Sequence, residues 1–200
     1  MNEKKRQKIN NGKIAYSAKE CAYLAAFVAL VIALQLALSF VPGVELVTVS
    51  FITYSFVMGA RRGMIAATAF SLLRQLVFGF QPMVLILYLT YFNLLTLGFG
   101  LLGKKMKPRP KNIVWFVVFA CLGTVCFTMI DNILTPAWYG YTARAAKAYF
   151  FASLTFMVPQ VICSAVSVAC LFFPLTKVFY MVKRTLVVKA SAHKSQALEK

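Results

Sequence analysis

Six apolar stretches divide this chain, and they constrain its fold more than any other feature. They cover residues 22–41, 46–60, 63–80, 83–102, 113–134 and 150–176. A helix needs about 20 residues to cross the hydrocarbon core of a bilayer, which is about 30 Å thick. Lipid offers no hydrogen-bonding groups, so a chain that crosses it must pair its backbone groups internally, as a helix does. We therefore predict an all-α membrane protein, a bundle of six transmembrane helices.

Composition favours one membrane-embedded bundle over two domains. The 200 residues are 60% hydrophobic, and their mean hydropathy is +0.74. We expect a membrane domain over residues 20–182, between a basic N-terminal segment, 1–19, and a basic tail, 183–200. The second apolar stretch is ambiguous because it is short and carries Ser50 and Tyr54. It is either a short helix or a partly re-entrant segment.

The lysines and arginines gather on one side of the predicted membrane domain. Of the 22, 19 lie in the N-terminal segment, the second–third turn, the fourth–fifth loop and the C-terminal region. The opposite loops carry only Arg144 and Lys147, and Arg74 lies within the third stretch. Six spans place both termini on the same side of the membrane. Because basic loops stay in the cytoplasm, that side is predicted to be cytoplasmic. The net charge of +17 then predicts contact with anionic lipid headgroups, and its placement argues against a nucleic-acid partner.

Four alanines recur at every fourth position of the first apolar stretch. They are Ala25, Ala29, Ala33 and Ala37, which we call the alanine stripe. A helix returns to nearly the same face every four residues, and small residues on one face let two membrane helices approach closely. The stripe is therefore predicted to lie against another helix. Gln35 is about 200° around the helix from Ala33 and should project away from the stripe.

Arg74 is the most prominent candidate for a functional side chain. It follows Arg62 by twelve positions, which places it about 18 Å farther along a helix and in the outer half of the membrane. A charge there is costly unless it is paired. Arg74 either anchors an acidic or carbonyl-rich ligand in an outward-facing pocket, or snorkels outward or pairs structurally with Glu45 or Asp131.

A second set of candidates surrounds the longest predicted outer connection, residues 135–149. Asp131, Asn132 and Trp138 combine a carboxylate, an amide and an indole. Such a set could bind a polar heteroaromatic compound by hydrogen bonds and stacking. The alternative is a helix end solvated at the interface. The aromatic connection itself is either an interfacial belt or a lid.

Three further polar side chains fall within predicted spans. Asn93 lies in the middle of the fourth stretch with Tyr88 nearer its outer end, and Gln160 follows Pro159 in the sixth. A proline locally frees a backbone carbonyl. These residues either contact a ligand or form hydrogen bonds between helices.

The motifs that would indicate an enzyme are missing from the sequence. It contains no GxxxxGK[ST] phosphate loop and no HExxH, so neither ATP hydrolysis nor zinc chemistry is predicted. His193 is the only histidine, and the five cysteines show no metal-binding spacing. We predict a non-enzymatic protein with no catalytic residue, metal or cofactor.

Over residues 20–182 the chain resembles the substrate-binding S-components of energy-coupling factor (ECF) transporters. The likeness rests on the alanine repeat, the six short spans, PGVELVT at the second span and YLTYFNLLTLGFGLLGKK at the fourth. It implies a six-helix protein in a prokaryotic cell membrane that captures a vitamin or related micronutrient near the outer face. The alanine stripe matches the family's coupling motif position by position. That motif docks on a transmembrane coupling subunit driven by two cytoplasmic ATPases.

The resemblance leaves the substrate open, because members of the family bind different compounds through different residues. A scaffold or assembly protein that uses the stripe for helix association is the alternative. On the first interpretation the substrate-binding candidates are Glu45, Arg74, Tyr88, Asn93, Asp131, Asn132, Trp138 and Gln160.

Overall fold

The computed structural model describes residues 18–40, 46–106 and 108–198, with side chains described as far as residue 186. This part of the chain is helical and contains no strand. Its helices are α1 (Ala18–Leu38), α2 (Val47–Met58), α3 (Ala60–Phe78), α4 (Pro82–Lys105), α5 (Ile113–Tyr139) and α6 (Ala143–Leu198). A 3₁₀ turn, Pro110–Asn112, precedes α5. The all-α prediction is confirmed, and each apolar stretch falls largely on one helix.

Four of the six helices are long and apolar enough to cross a membrane. They are α1, α4, α5 with its preceding turn, and the Ala143–Leu186 part of α6. Helix α3 has 19 residues but carries three arginines, and α2 has only 12 residues. Four long apolar helices indicate a membrane-embedded protein that crosses the bilayer more than once.

Helix α2 forms the centre of the bundle. Every one of its residues is buried, and it packs against α1, α3, α4, α5 and α6. Its 12 residues are about 18 Å long, well short of the hydrocarbon thickness. The second apolar stretch is therefore a short helix enclosed by protein.

Three of the hydroxyl groups of α2 are hydrogen bonded within the helix itself. Ser50, Thr53 and Ser55 donate hydrogen bonds to the carbonyls of Leu46, Val49 and Phe51, at 2.8, 2.7 and 2.6 Å. Serine and threonine in helices commonly bond to the carbonyl four residues earlier. Three polar side chains can thus lie in the core without a partner on another helix.

An aromatic cluster around Phe51 joins α2 to three other helices. The Phe51 ring centroid lies 5.5 Å from that of Phe27 on α1, 5.1 Å from Phe70 on α3 and 5.0 Å from Phe92 on α4. Phe51 is fully buried. Such pairs add roughly 0.5–1.5 kcal/mol each to the burial of the rings.

Glycine allows α4 to approach its neighbours closely. A Cβ on Gly100 would overlap the backbone N and Cα of Ala60, and a Cβ on Gly103 would overlap the carbonyl of Phe56. Gly98 faces open space. Gly100 therefore allows the close approach of α4 to α3, and Gly103 allows its close approach to α2.

The connection between α5 and α6 is much shorter than the sequence predicts. Helix α5 continues to Tyr139 and α6 begins at Ala143, so the prediction of an outer connection over residues 135–149 is wrong. Pro136 is accommodated inside the last turn of α5. The helix ends at Gly140 (φ 63°), and the Tyr141 N–H donates to the Pro136 carbonyl at 3.0 Å. Left-handed glycine is a common helix terminator.

Charged contacts define one end of the bundle. Arg62 Nη2 lies 2.8 Å from Glu20 Oε1, which joins α3 to α1. Lys183 Nζ on α6 donates to the carbonyl of Val57 on α2 at 2.5 Å. We call this the basic end. Helix α6 runs past residue 182, and its backbone is helical to Leu198.

Candidate functional site

The alanine stripe lies on the outer surface of the molecule. All four of its alanines are exposed. The buried residues of α1 are Phe27, Val28 and Val31, and they pack into the hydrophobic core. Helix α1 therefore buries Phe27, Val28 and Val31 in the bundle and leaves the stripe exposed, together with Tyr23, Leu30 and Leu36.

Gln35 projects away from the stripe, as its position on the helix predicts. Its Oε1 accepts a hydrogen bond from Arg74 Nε at 3.1 Å, and its Nε2 donates to the Tyr88 hydroxyl at 3.2 Å. These two bonds join α1 to α3 and α4. Gln35 was not among the predicted site residues. Its position on the face of α1 away from the stripe was the sequence signal that could have indicated a contact with the bundle.

Arg74 lies at the centre of this group. Its guanidinium carbon is 4.5 Å from the ring centroid of Phe78 and 4.5 Å from that of Tyr88. A cation within about 6 Å of an aromatic centroid is attracted by the ring. We call Gln35, Arg74, Phe78 and Tyr88 the arginine cluster. Phe78 could have been predicted, because residues four apart on a helix are neighbours.

The arginine cluster lies near the end of the bundle opposite the basic end. Arg74 is four residues from the end of α3, and Gln35 is three residues from the end of α1. Both are therefore about 5–6 Å from their helix ends. The Glu20–Arg62 pair is at the other ends of the same helices.

No carboxylate among the described residues pairs with Arg74. The ion pair among the described residues joins Arg62 to Glu20. Asp131 is hydrogen bonded to Thr135 and Tyr149. The alternative that Asp131 pairs structurally with Arg74 is therefore wrong. Glu45, the other predicted partner and a predicted site residue, lies outside the described residues.

Asp131 binds side chains of α5 and α6. Its Oδ2 accepts a hydrogen bond from the Tyr149 hydroxyl at 2.6 Å, and its Oδ1 accepts one from Thr135 at 2.7 Å. Tyr149 was not predicted, because nothing in the sequence links residues 18 positions apart on different helices. The Tyr149 bond joins the C-terminal part of α5 to the N-terminal part of α6.

Asn132 makes a second link between the same two helices. Its Oδ1 accepts a hydrogen bond from Ser153 Oγ at 2.8 Å. Its Nδ2 is buried and has no hydrogen-bond partner among the described residues. An unsatisfied buried amide donor is costly, so this N–H is available to an acceptor that enters the site.

The remaining predicted site residues are dispersed. Asn93 donates to Thr68 Oγ1 at 3.3 Å and to the Leu89 carbonyl at 2.8 Å, so it links α4 with α3. Trp138 is half exposed on the last turn of α5, and Gln160 is partly buried on α6. The structure therefore separates the predicted residues into two groups, the arginine cluster and the Asp131–Asn132 pair, and several single positions.

Aromatic side chains of α4 and α5 are in contact between these two groups. The Tyr88 centroid lies 6.1 Å from that of Phe127 on α5. Phe127 precedes Asp131 by one helical turn. The contact between the arginine cluster and α5 is thus aromatic.

Two apolar cavities lie elsewhere in the molecule. One, of about 190 Å³, is at the basic end between α1, α2 and α6, beside the Glu20–Arg62 pair. The other, of about 420 Å³, is a groove between α4 and α5 lined by residues such as Leu94, Gly98 and Leu122. Neither of these two cavities is lined by a predicted substrate-binding residue.

Comparison of this chain with family models, with curated proteins and with solved structures finds no match. Within residues 18–40, 46–106 and 108–186, no group of three His, Cys, Asp or Glu side chains is placed to hold a metal ion.

Proposed function

We propose that this protein is the solute-capture subunit of an ECF-type importer. It takes up a vitamin or related micronutrient from outside a prokaryotic cell and docks on a transmembrane coupling subunit. The observation that carries the proposal is the exposure of all four alanines of the stripe, while Phe27, Val28 and Val31 of the same helix are buried.

An exposed small-residue stripe supports docking to a helix of another protein. Lipid tails are as apolar as leucine, so membrane helices gain no hydrophobic energy by associating and pack instead where small residues let their backbones come close. The stripe runs from Ala25 to Ala37, which is about 18 Å of helix surface. No helix in the described part of the chain covers the stripe, since all four alanines are exposed there.

In the proposed topology all six helices cross the membrane region, with α2 enclosed by the others, and both termini are cytoplasmic. The basic end then faces the cytoplasm, where lysine and arginine contact anionic headgroups. The arginine cluster and Asp131 face the outside. Reporter fusions at each terminus test the orientation: cytoplasmic signals are expected from both.

The two outer polar groups support solute capture at the outer end. They supply donors, acceptors and aromatic surface within a few residues of the helix ends. Of the eight proposed binding residues, Arg74, Tyr88, Asp131 and Asn132 belong to these groups. The protein has no phosphate loop, so separate ATPase subunits supply the energy in this proposal.

The decisive experiment compares solute binding with transport for substitutions on the stripe. We expect Ala29→Leu and Ala33→Leu to preserve binding of radiolabelled vitamins by the purified chain and to abolish uptake in cells. The control is Ala152→Leu, an equally exposed alanine on α6, which should preserve both. Equal loss of binding and uptake in the stripe variants would contradict the proposal.

One observation favours a scaffold protein as the second candidate. Arg74, Asp131 and Asn93 each form hydrogen bonds to neighbouring helices, as structural residues do. A scaffold would show no saturable binding across a broad panel of vitamins, and stripe variants would lose a partner without any loss of solute affinity.

A further inference from the structure

The guanidinium of Arg74 is held in place but is only partly hydrogen bonded. Of its five N–H donors, the one on Nε is used by Gln35. The four on the terminal nitrogens have no acceptor among the described residues. Phe78 and Tyr88 occupy ring-face positions 4.5 Å from the guanidinium carbon, and contacts of this kind do not use N–H donors.

Gln35 fixes the orientation of this guanidinium. Its amide oxygen accepts from Arg74 Nε while its amide nitrogen donates to the Tyr88 hydroxyl. Rotation of Arg74 would break the first bond and move the cation off both rings. The pair of terminal nitrogens is therefore presented in one direction, which is the arrangement that binds a carboxylate or phosphate with two parallel hydrogen bonds.

The charge of Arg74 is also uncompensated in the described part of the chain. Glu20 pairs with Arg62 at the basic end, and both oxygens of Asp131 are bonded to Thr135 and Tyr149. A cation within a membrane bundle is costly without an anion. A bound oxyanion would supply both the missing charge and the missing acceptors.

We propose that Arg74 binds the carboxylate or phosphate group of the captured solute, with Gln35 as its positioning residue. This inference rests on the proposed function and narrows the solute to anionic micronutrients. A lipid headgroup phosphate has the same chemistry, so the experiment has to distinguish the two sources.

The test uses acid and amide forms of similar size on the purified full-length chain in lipid-free nonionic detergent. Radiolabelled nicotinate, biotin and pantothenate are compared with nicotinamide, biotin amide and pantothenamide, and with cationic thiamine and neutral riboflavin. We expect saturable binding to be restricted to acids. Arg74→Gln should weaken it about 10- to 100-fold, the effect expected for lost hydrogen bonds to a charged group.

Two variants protect the test against simple misfolding. Arg74→Lys retains the charge but loses the planar pair of terminal N–H donors. It should therefore bind acids more weakly than the wild type and more tightly than Arg74→Gln. Gln35→Leu should weaken acid binding without introducing saturable binding of the amides. The folded state of each variant is checked by size-exclusion chromatography and thermal unfolding.

Each contrary result has a separate meaning. Tight binding of an amide, thiamine or riboflavin that Arg74→Gln does not change would overturn the oxyanion inference and leave the capture function intact. No saturable binding of any compound would overturn the capture function and the inference with it.

Two further results would assign the anion to another source. If phosphatidylglycerol stabilises the wild type but not Arg74→Gln, while no acid competes, the anion is a lipid headgroup. If Glu45→Gln lowers thermal stability as much as Arg74→Gln, and the double variant shows no additional loss, the counter-ion is Glu45. Either result would overturn the inference.

Discussion

Replacement of Gly100 by alanine should destabilise the protein strongly. The added Cβ would overlap the backbone N and Cα of Ala60, and backbone atoms cannot rotate away as a side chain can. Overpacking of a core costs about 1–3 kcal/mol, and we expect the upper value here, because α3 and α4 would have to separate. The better helix propensity of alanine returns up to about 1 kcal/mol. The expected net loss is about 2 kcal/mol.

Gly98→Ala is the matched control for this prediction. It makes the same chemical change two residues away on α4, where a Cβ meets nothing within 4 Å. It should be neutral or stabilising by up to about 1 kcal/mol, so the two variants should differ by about 2–3 kcal/mol. Unfolding of the purified proteins in mixed micelles with increasing SDS measures both. Equal stabilities of the two variants would refute the close approach of α4 to α3.

Three further predictions use the same unfolding measurement. Phe51→Ala should cost about 3–5 kcal/mol, because it empties a fully buried position in the aromatic cluster; a loss below about 1 kcal/mol would show that this core is not packed as described. Tyr149→Phe should cost about 1.5–3 kcal/mol, since it removes a hydrogen bond to the carboxylate of Asp131, and an unchanged stability would exclude this bond. Glu20→Gln should cost less than about 1 kcal/mol and the loss should shrink in high salt, because the Glu20 and Arg62 side chains are 20% and 29% exposed; a large, salt-independent loss would indicate a buried ion pair.

The sequence predicted the position of the stripe but not the partners of Arg74 in the arginine cluster. The stripe and the inward direction of Gln35 follow from helical periodicity alone, and the structure agrees with both. The partners of Arg74 did not follow, since Gln35 is 39 positions and Tyr88 is 14 positions away in the chain. The alternative that Arg74 pairs with Asp131 was wrong, because that carboxylate accepts hydrogen bonds from Thr135 and Tyr149.

The ends of the helices show a second difference. Pro136 and Gly140 were both interpreted as loop residues, but proline is tolerated in the last turn of α5 and only the glycine ends it. Helix-breaking signals are local energies of a few kcal/mol, and packing of α5 against α6 exceeds them. This is why Trp138 lies on a helix and not in a long connection.

Hydropathy and helical geometry were sufficient to predict the all-helical class of the described residues and the separation of α1 into a buried and an exposed face. These properties depend on neighbours within a few residues, which the sequence states directly. The central position of α2, the pairing of Arg74 with Gln35 and the attachment of Asp131 to α6 depend on contacts between distant segments. Many pairings of six helices satisfy the same local pattern, and side-chain packing and hydrogen bonding select one of them.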